Sequence, residues 1–144
     1  MATDGVGLPL RALLSAGQDH ESRYLEAVLD SIRVCRPSGT VRQRPERVSG
    51  DKAYSCRRVR LWLRQRGVRA VIPERKDQIA NRRGRPPKFD REQYRRRNVV
   101  ERCIGWLKEA RAVATRYEKL ALHYLASIQI VIIRRYLKTL ANRP

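Results

Sequence analysis

Residues Asp90 to Arg111, DREQYRRRNVVERCIGWLKEAR, constrain this chain more than any other stretch. Asp90 is placed to cap a first turn, with Gln93 at the reciprocal position of a capping box. Phe89 and Tyr94 occupy the two positions of a hydrophobic staple around that cap. Continued as one helix, the stretch puts Tyr94, Arg97, Glu101 and Lys108 within an arc of about 60°. Val100, Cys103, Ile104, Leu107 and Ala114 gather on a neighbouring apolar arc. The expectation is a helix with a buried stripe and, beside it, a polar stripe of one carboxylate, two cations and a phenol.

The spacing Tyr94-x2-Arg97-x3-Glu101-x6-Lys108 resembles the helix signature of bacterial insertion-sequence transposases of the DDE type, in all four residues and all three intervals. Asp51, in GDKAYS, resembles the second acidic residue of that family. The phrases DGVGLPLRALLSAGQDHES, GRPPKFD, RRNVVERCIGWLK and ATRYEKLALHYLAS are similar to its short insertion-element group. The resemblance implies an α/β fold of ribonuclease-H-like type, a mixed sheet with flanking helices. It further implies that the first strand, with the family's first catalytic aspartate, lies upstream of the segment resembling Met1–Leu10. The sheet is then incomplete at its N-terminus, and the chain is the C-terminal portion of such an enzyme.

At 144 residues the chain is expected to form a single domain, with the basic loop 74–88 inside it. The 33 Lys and Arg against 14 Asp and Glu leave a formal charge of +19, which points to a polyanion partner. Cys35, Cys56 and Cys103 stand far apart with only His20 and His123 beside them, so reduced thiols fit better than a zinc site or a disulfide framework. No secretory pattern opens the chain. The apolar run Ile128–Ile133 is too short to span a bilayer. The expectation is a cytoplasmic, nucleoid-associated protein with no membrane partner.

In chain order, Met1–Ser15 reads as strand, turn and strand, with Asp4-Gly5 supplying turn chemistry. Asp4 is the one acidic residue before Asp19 and therefore a candidate metal ligand, but the turn reading outweighs it. A helix is expected over about Glu21–Val34, with His20 at its start as a capping or DNA-facing residue. Arg36–Arg47 reads as a loop. Val48–Lys52 reads as a strand ending in Asp51, Ser55 as the cap of a helix that stops at Gly67, and Val68–Ile72 as a second strand closing a parallel crossover. Glu74–Lys88 reads as an irregular basic linker whose RRGRPPK resembles the Arg-Gly-Arg-Pro core of minor-groove AT-hooks. Leu120–Leu140 reads as a helix, with Leu122, Leu125, Ala126, Ile130, Ile133 and Leu137 at helical spacing.

The resemblance implies a transposase that hydrolyses a phosphodiester at the element's end and joins the new 3′-hydroxyl to target DNA. A carboxylate cluster holding two divalent metals, Mg²⁺ or Mn²⁺, is the expected centre. Asp51 and Glu101 are the two ligands this chain offers. Tyr94, Arg97 and Lys108 are expected beside them as DNA contacts, and Arg82, Arg83, Arg85 and Lys88 as contacts to the DNA backbone. Read alone, Glu101 would be an ion-pair partner of Arg97 one turn back. The expected partners are DNA, an upstream transposase polypeptide carrying the first aspartate, and a second copy of the chain. The alternatives are a truncated transposase that binds DNA without cutting it, and a basic RNA- or ribosome-associated protein, which explains the charge but not the signature.

Overall fold

The computed structural model describes residues 1–142. The chain forms two compact units, one of Met1–Ser15 together with the chain from Asn98 on, the other of Ala16–Arg97.

The Ala16–Arg97 unit is built around a strand–helix–strand crossover. Strand β5 (Arg47–Ser49) and strand β6 (Arg69–Val71) pair in parallel, Val48 opposite Ala70, and helix α2 (Arg57–Gln65) connects them. Val59 and Leu63, one turn apart on α2, are fully buried. They pack with Val68, Ile72 and with Leu25 of helix α1 (Leu25–Asp30) to form this unit's core. Arg58 binds Glu26 and donates to the Ser22 carbonyl at 2.6 Å. Arg66 grips both Asp30 oxygens, at 2.6 and 3.3 Å, while stacking 4.1 Å from the Trp62 ring. Two clamps thus hold α1 against α2. The stop at Gly67 is as expected: φ is +64°, and the Gly67 and Val68 amides close a Schellman pair onto Arg64 and Leu63 at 3.0 and 2.8 Å.

Several expectations for this unit are corrected. The helix expected to reach Val34 is a 3-10 turn at Glu21–Arg23 followed by the six residues of α1. Its continuation becomes strand β3 (Val34–Cys35), which pairs antiparallel with β4 (Val41–Arg42) inside the stretch read as a loop. Strands of two residues are too short to show a period. Ser55 does not cap α2. It is fully buried, and its hydroxyl bonds Gln78 at 2.7 Å and Arg60 at 2.9 Å. Gln78 belongs to the short helix α3 (Lys76–Ala80), which occupies the linker read as irregular.

The largest correction concerns the Asp90 stretch, which is not one helix. Helix α4 (Arg91–Arg95) begins as expected, with Asp90 Oδ1 accepting from the Gln93 amide at 3.0 Å and the Phe89 and Tyr94 rings 5.3 Å apart. It ends in a tightened turn, the Arg97 amide bonding the Tyr94 carbonyl at 2.9 Å. Helix α5 (Asn98–Lys108) and helix α6 (Arg111–Thr115) follow separately. Arg91, Arg95, Arg96 and Arg97 crowd like charge into successive turns, and Asn98 favours a helix start over an interior position. The break falls where they meet.

In the other unit, strands β1 (Ala2–Thr3) and β2 (Pro9–Arg11) form the expected hairpin. Cys103 and Leu107 of α5 meet Val113 of α6 and Ile128 of helix α7 (Ala121–Ala141) in the core. Val113, not Ala114, is the buried residue of α6. Helix α7 has the expected length but turns another face inward. Ile128 is buried with Tyr124, Val131 and Ile132 against it, while Leu122, Ile130, Ile133 and Leu137 stand 57–73% exposed. The helix is apolar nearly all round, so its period cannot choose a face. Two phenols can: Tyr124 donates to the Val113 carbonyl and Tyr136 to the Pro9 carbonyl, both at 2.8 Å.

The strands therefore form three two-stranded sheets, not one mixed sheet. With two or three residues each, they supply few ladder bonds with which to extend a pairing. The mixture of strands and helices is that of an α/β chain.

Candidate functional site

Asp51 follows β5 by two residues. The Gly50 amide continues the ladder to the Val71 carbonyl at 3.4 Å, and the chain then turns into a 3-10 helix over Lys52–Tyr54. Asp51 caps that helix, its Oδ1 accepting from the Ala53 amide at 2.9 Å. A side chain at position 50 would press on the Tyr54 ring, which lies 3.2 Å from where its Cβ would stand, so the ring would have to give by a few tenths of an ångström to admit one. Burial and the neighbouring Glu21 carboxylate, which accepts from its hydroxyl at 3.1 Å, push the Tyr54 phenol well above its ordinary range. Asp51 is thus a half-buried carboxylate at the C-terminal end of a parallel strand, fixed through one of its oxygens.

Glu101 lies in the first turn of α5 and Lys108 at its last position, both exposed. Seven residues separate them, so they share one helix face about 10 Å apart along the axis. Tyr94 and Arg97 lie on the other side of the helix break. The Arg97 guanidinium sits 5.4 Å from the Tyr94 ring centre, and Phe89 packs on the same ring. Tyr94 and Arg97 thus belong to the Ala16–Arg97 unit, and Glu101 and Lys108 to the other. Asp51 and Glu101 belong to different units.

The basic linker is differentiated. Arg82 is half-buried and pairs with Glu74 at 2.5 Å, whereas Arg83, Arg85 and Lys88 are exposed. Asp4 is engaged in its turn, Oδ1 accepting from the Val6 and Leu8 amides at 3.0 and 2.8 Å. His20 caps the turn at Glu21–Arg23, its Nδ1 accepting from the Ser22 amide at 3.3 Å. The three cysteines are unpaired. Sequence reasoning assigns no role to Arg69. It is exposed at the start of β6, and its signal is a charge amid the apolar residues of VRAVI.

Asp51 and Glu101 are hard oxygen donors of the kind a divalent cation prefers. They fall short in number: among the described residues, no group of three or more His, Cys, Asp or Glu side chains is placed to hold a metal ion. Also among the described residues, no helix is long and apolar enough to cross a membrane.

Residues 48–138 match the family model described as transposase DDE domain. Over 122 residues, 84% of the chain, the sequence is 33% identical to a Burkholderia cepacia protein that carries the provisional name of transposase for insertion sequence element IS402. The chain spans 53% of that relative's length. No solved structure matches.

Proposed function

The chain belongs to the transposase DDE-domain family, and from that premise we propose that it supplies the second and third carboxylates of a DNA-cleaving and strand-joining centre. One observation carries the reading: the matched span 48–138 contains Asp51, Tyr94, Arg97, Glu101 and Lys108 together. In the proposed reaction, water attacks the phosphorus at an element end and the 3′-oxygen leaves as a hydroxyl. That hydroxyl then attacks a phosphorus of target DNA, displacing a second 3′-oxygen. Asp51 and Glu101 act as the ligands this chain contributes towards Mg²⁺ or Mn²⁺ in the complete enzyme. Arg97 and Lys108 hold phosphates, and Tyr94 supports Arg97 through its ring face. Arg83, Arg85 and Lys88 follow the DNA backbone, with Arg82 a weaker contributor while it is tied to Glu74.

In this reading the two units work as a single catalytic-type domain of ribonuclease-H-like fold. It is completed by an upstream polypeptide that brings the first, strand-borne aspartate, and it acts in the cytoplasm at the nucleoid. A second copy of the chain is a further partner, tested by light scattering with and without element ends. The deciding experiment is a nicking assay on the element's own ends with Mg²⁺ or Mn²⁺. The chain alone is expected to leave the DNA intact, because two carboxylates cannot bridge and separately ligate two ions. Adding an upstream fragment that carries the aspartate should start cutting, and replacing that aspartate by Ala should stop it. If the chain cuts unaided and Asp4→Ala abolishes the activity, Asp4 is the third ligand and the assignment of an upstream strand is wrong.

The donor count favours one second reading, a DNA-binding fragment that does not cut. Binding of element ends without cleavage, even with the upstream fragment present, would select it.

A further inference from the structure

Several arginines of the Ala16–Arg97 unit are held by carboxylates. Arg42 and Arg47 share Glu46, Arg58 takes Glu26, Arg66 takes Asp30, Arg75 meets Asp77 and Arg82 takes Glu74. Three others, Arg60, Arg64 and Arg69, converge on one place. An open groove of about 390 Å³ runs between α2 and β6, lined by Arg60, Arg64, Val68, Arg69 and Pro87, with no carboxylate in its wall. A neighbouring groove of about 330 Å³ has Asp30 in its wall, where it neutralises Arg66. Two carboxylates beside groove residues are already engaged: Glu74, whose charge Arg60 feels, by Arg82, and Glu46, whose carbonyl accepts from the Arg69 amide at 3.0 Å, by Arg42 and Arg47.

The three arginines of this groove are presented differently. Arg60 is half-buried and fixed, its Nη2 donating at 2.9 Å both to the Ser55 hydroxyl and to the Ile72 carbonyl. Burial lowers its pKa somewhat, so its charge is only partly quenched by water. Arg64 and Arg69 are exposed at the mouth. Pro87 brings the GRPPK segment to the same wall, so Arg85 and Lys88 stand two residues before and one after a lining residue.

We propose that this groove is a phosphate track for the backbone of duplex DNA, with Arg64 and Arg69 as the contacting side chains, Arg60 as a fixed charge in its wall, and Arg85 and Lys88 as its continuation. The inference rests on DNA being the partner, as proposed above, and assigns a surface whose lining holds neither Asp51 nor Glu101. Contacts of this kind carry affinity without sequence preference and release counterions, so each steepens the dependence of log K on log salt by about 0.9.

The test is fluorescence anisotropy with a labelled duplex of about 25 base pairs, titrated at several salt concentrations between 50 and 200 mM. The R64Q/R69Q variant should bind more weakly than wild type, with a slope shallower by about 1.8, equivalent to about twelvefold less loss of affinity over that salt range. R64K/R69K keeps the charge and should keep the slope. R23Q/R36Q removes the same charge from exposed positions of the same unit outside the groove and should leave the slope within about 0.5 of wild type. Wild-type binding that is strong and salt-dependent, with an unchanged slope in R64Q/R69Q or an equal loss in R23Q/R36Q, would overturn the groove and leave the DNA reading standing. Wild type that shows no salt-dependent binding would overturn both. Tighter binding to a duplex RNA of the same length would overturn the assignment to DNA.

Discussion

Ser55→Ala should destabilise the Ala16–Arg97 unit more than an ordinary serine truncation. The hydroxyl is fully buried, donating to Gln78 Oε1 at 2.7 Å and accepting from the Arg60 guanidinium at 2.9 Å. A neutral hydrogen bond contributes about 0.5–1.5 kcal/mol net and one to a charged group about 1.5–3 kcal/mol. The upper end does not apply, because neither partner is left bare. Arg60 retains the Ile72 carbonyl at 2.9 Å, and Gln78 Oε1 retains the Arg75 amide at 3.1 Å. The expected loss is therefore about 2–3 kcal/mol, a large share of a typical domain's stability. The chain has two tryptophans, Trp62 and Trp106, one in each unit. In a Trp106→Phe background, Trp62 fluorescence reports this unit alone. Urea titration should show the midpoint falling by about 1–2 M with the slope unchanged. A double-mutant cycle with Gln78→Ala should return a coupling of about 0.5–1.5 kcal/mol. A loss below about 0.5 kcal/mol, or no coupling, would refute the view that Ser55 ties α2 to α3.

Glu101→Gln should leave the melting temperature within about 2 °C of wild type, since Glu101 is exposed, and abolish cleavage in the complemented nicking assay; an unchanged cutting rate would remove Glu101 from the centre. Leu107→Ala should do the reverse, costing about 2–5 kcal/mol in urea unfolding because Leu107 is buried in the α5–α7 core. Ile130→Glu with Leu137→Glu should barely change the melting temperature but reduce binding of an apolar dye and self-association in light scattering, since both side chains stand outward on α7. The Tyr54 phenol titrates higher in the fold than in the unfolded chain, so the stability it confers is complete below about pH 10 and declines as pH rises above 10 towards the folded value. Tyr54→Phe should flatten that alkaline decline, and an equally steep decline in the variant would show that another group governs it.

What was legible in the sequence was local. The Asp90 cap, the Phe89–Tyr94 staple, the Gly67 stop and the Asp4 turn each depend on residues within a few positions of one another, and each stands in the structure as expected. The crossover from β5 through α2 to β6 was legible because the helix between the strands is well marked, from its buried stripe to its stop at Gly67. The break between α4 and α5 was not, since the Tyr94-to-Lys108 spacing fits one continuous helix while charge crowding at Arg95–Arg97 interrupts the backbone. The inward face of α7 was not either, because two long-range hydrogen bonds choose it: Tyr124 to Val113 and Tyr136 to Pro9. For the candidate site, the family resemblance singles out Asp51 and Glu101 as candidate carboxylates but carries no information on how many ligands meet in space. Nor could it distinguish Arg82, spent on Glu74, from Arg83 beside it, because that depends on a carboxylate eight residues away folding back.

The sheets of this chain have an unusual ratio of rim to interior. Every described strand has a single neighbour, so each sheet is all edge, and an edge is a template on which other chains can add. Length and charge blunt that hazard here. The one parallel ladder is three residues long on each side, and it opens with Arg47 opposite Arg69. A segment seeking to extend it would find few backbone groups and would have to approach a pair of guanidinium groups. Fibril growth through cross-β stacking needs longer, less charged segments. The same arginines that give the chain its electrostatic reach thus also act as gatekeepers against its own polymerisation.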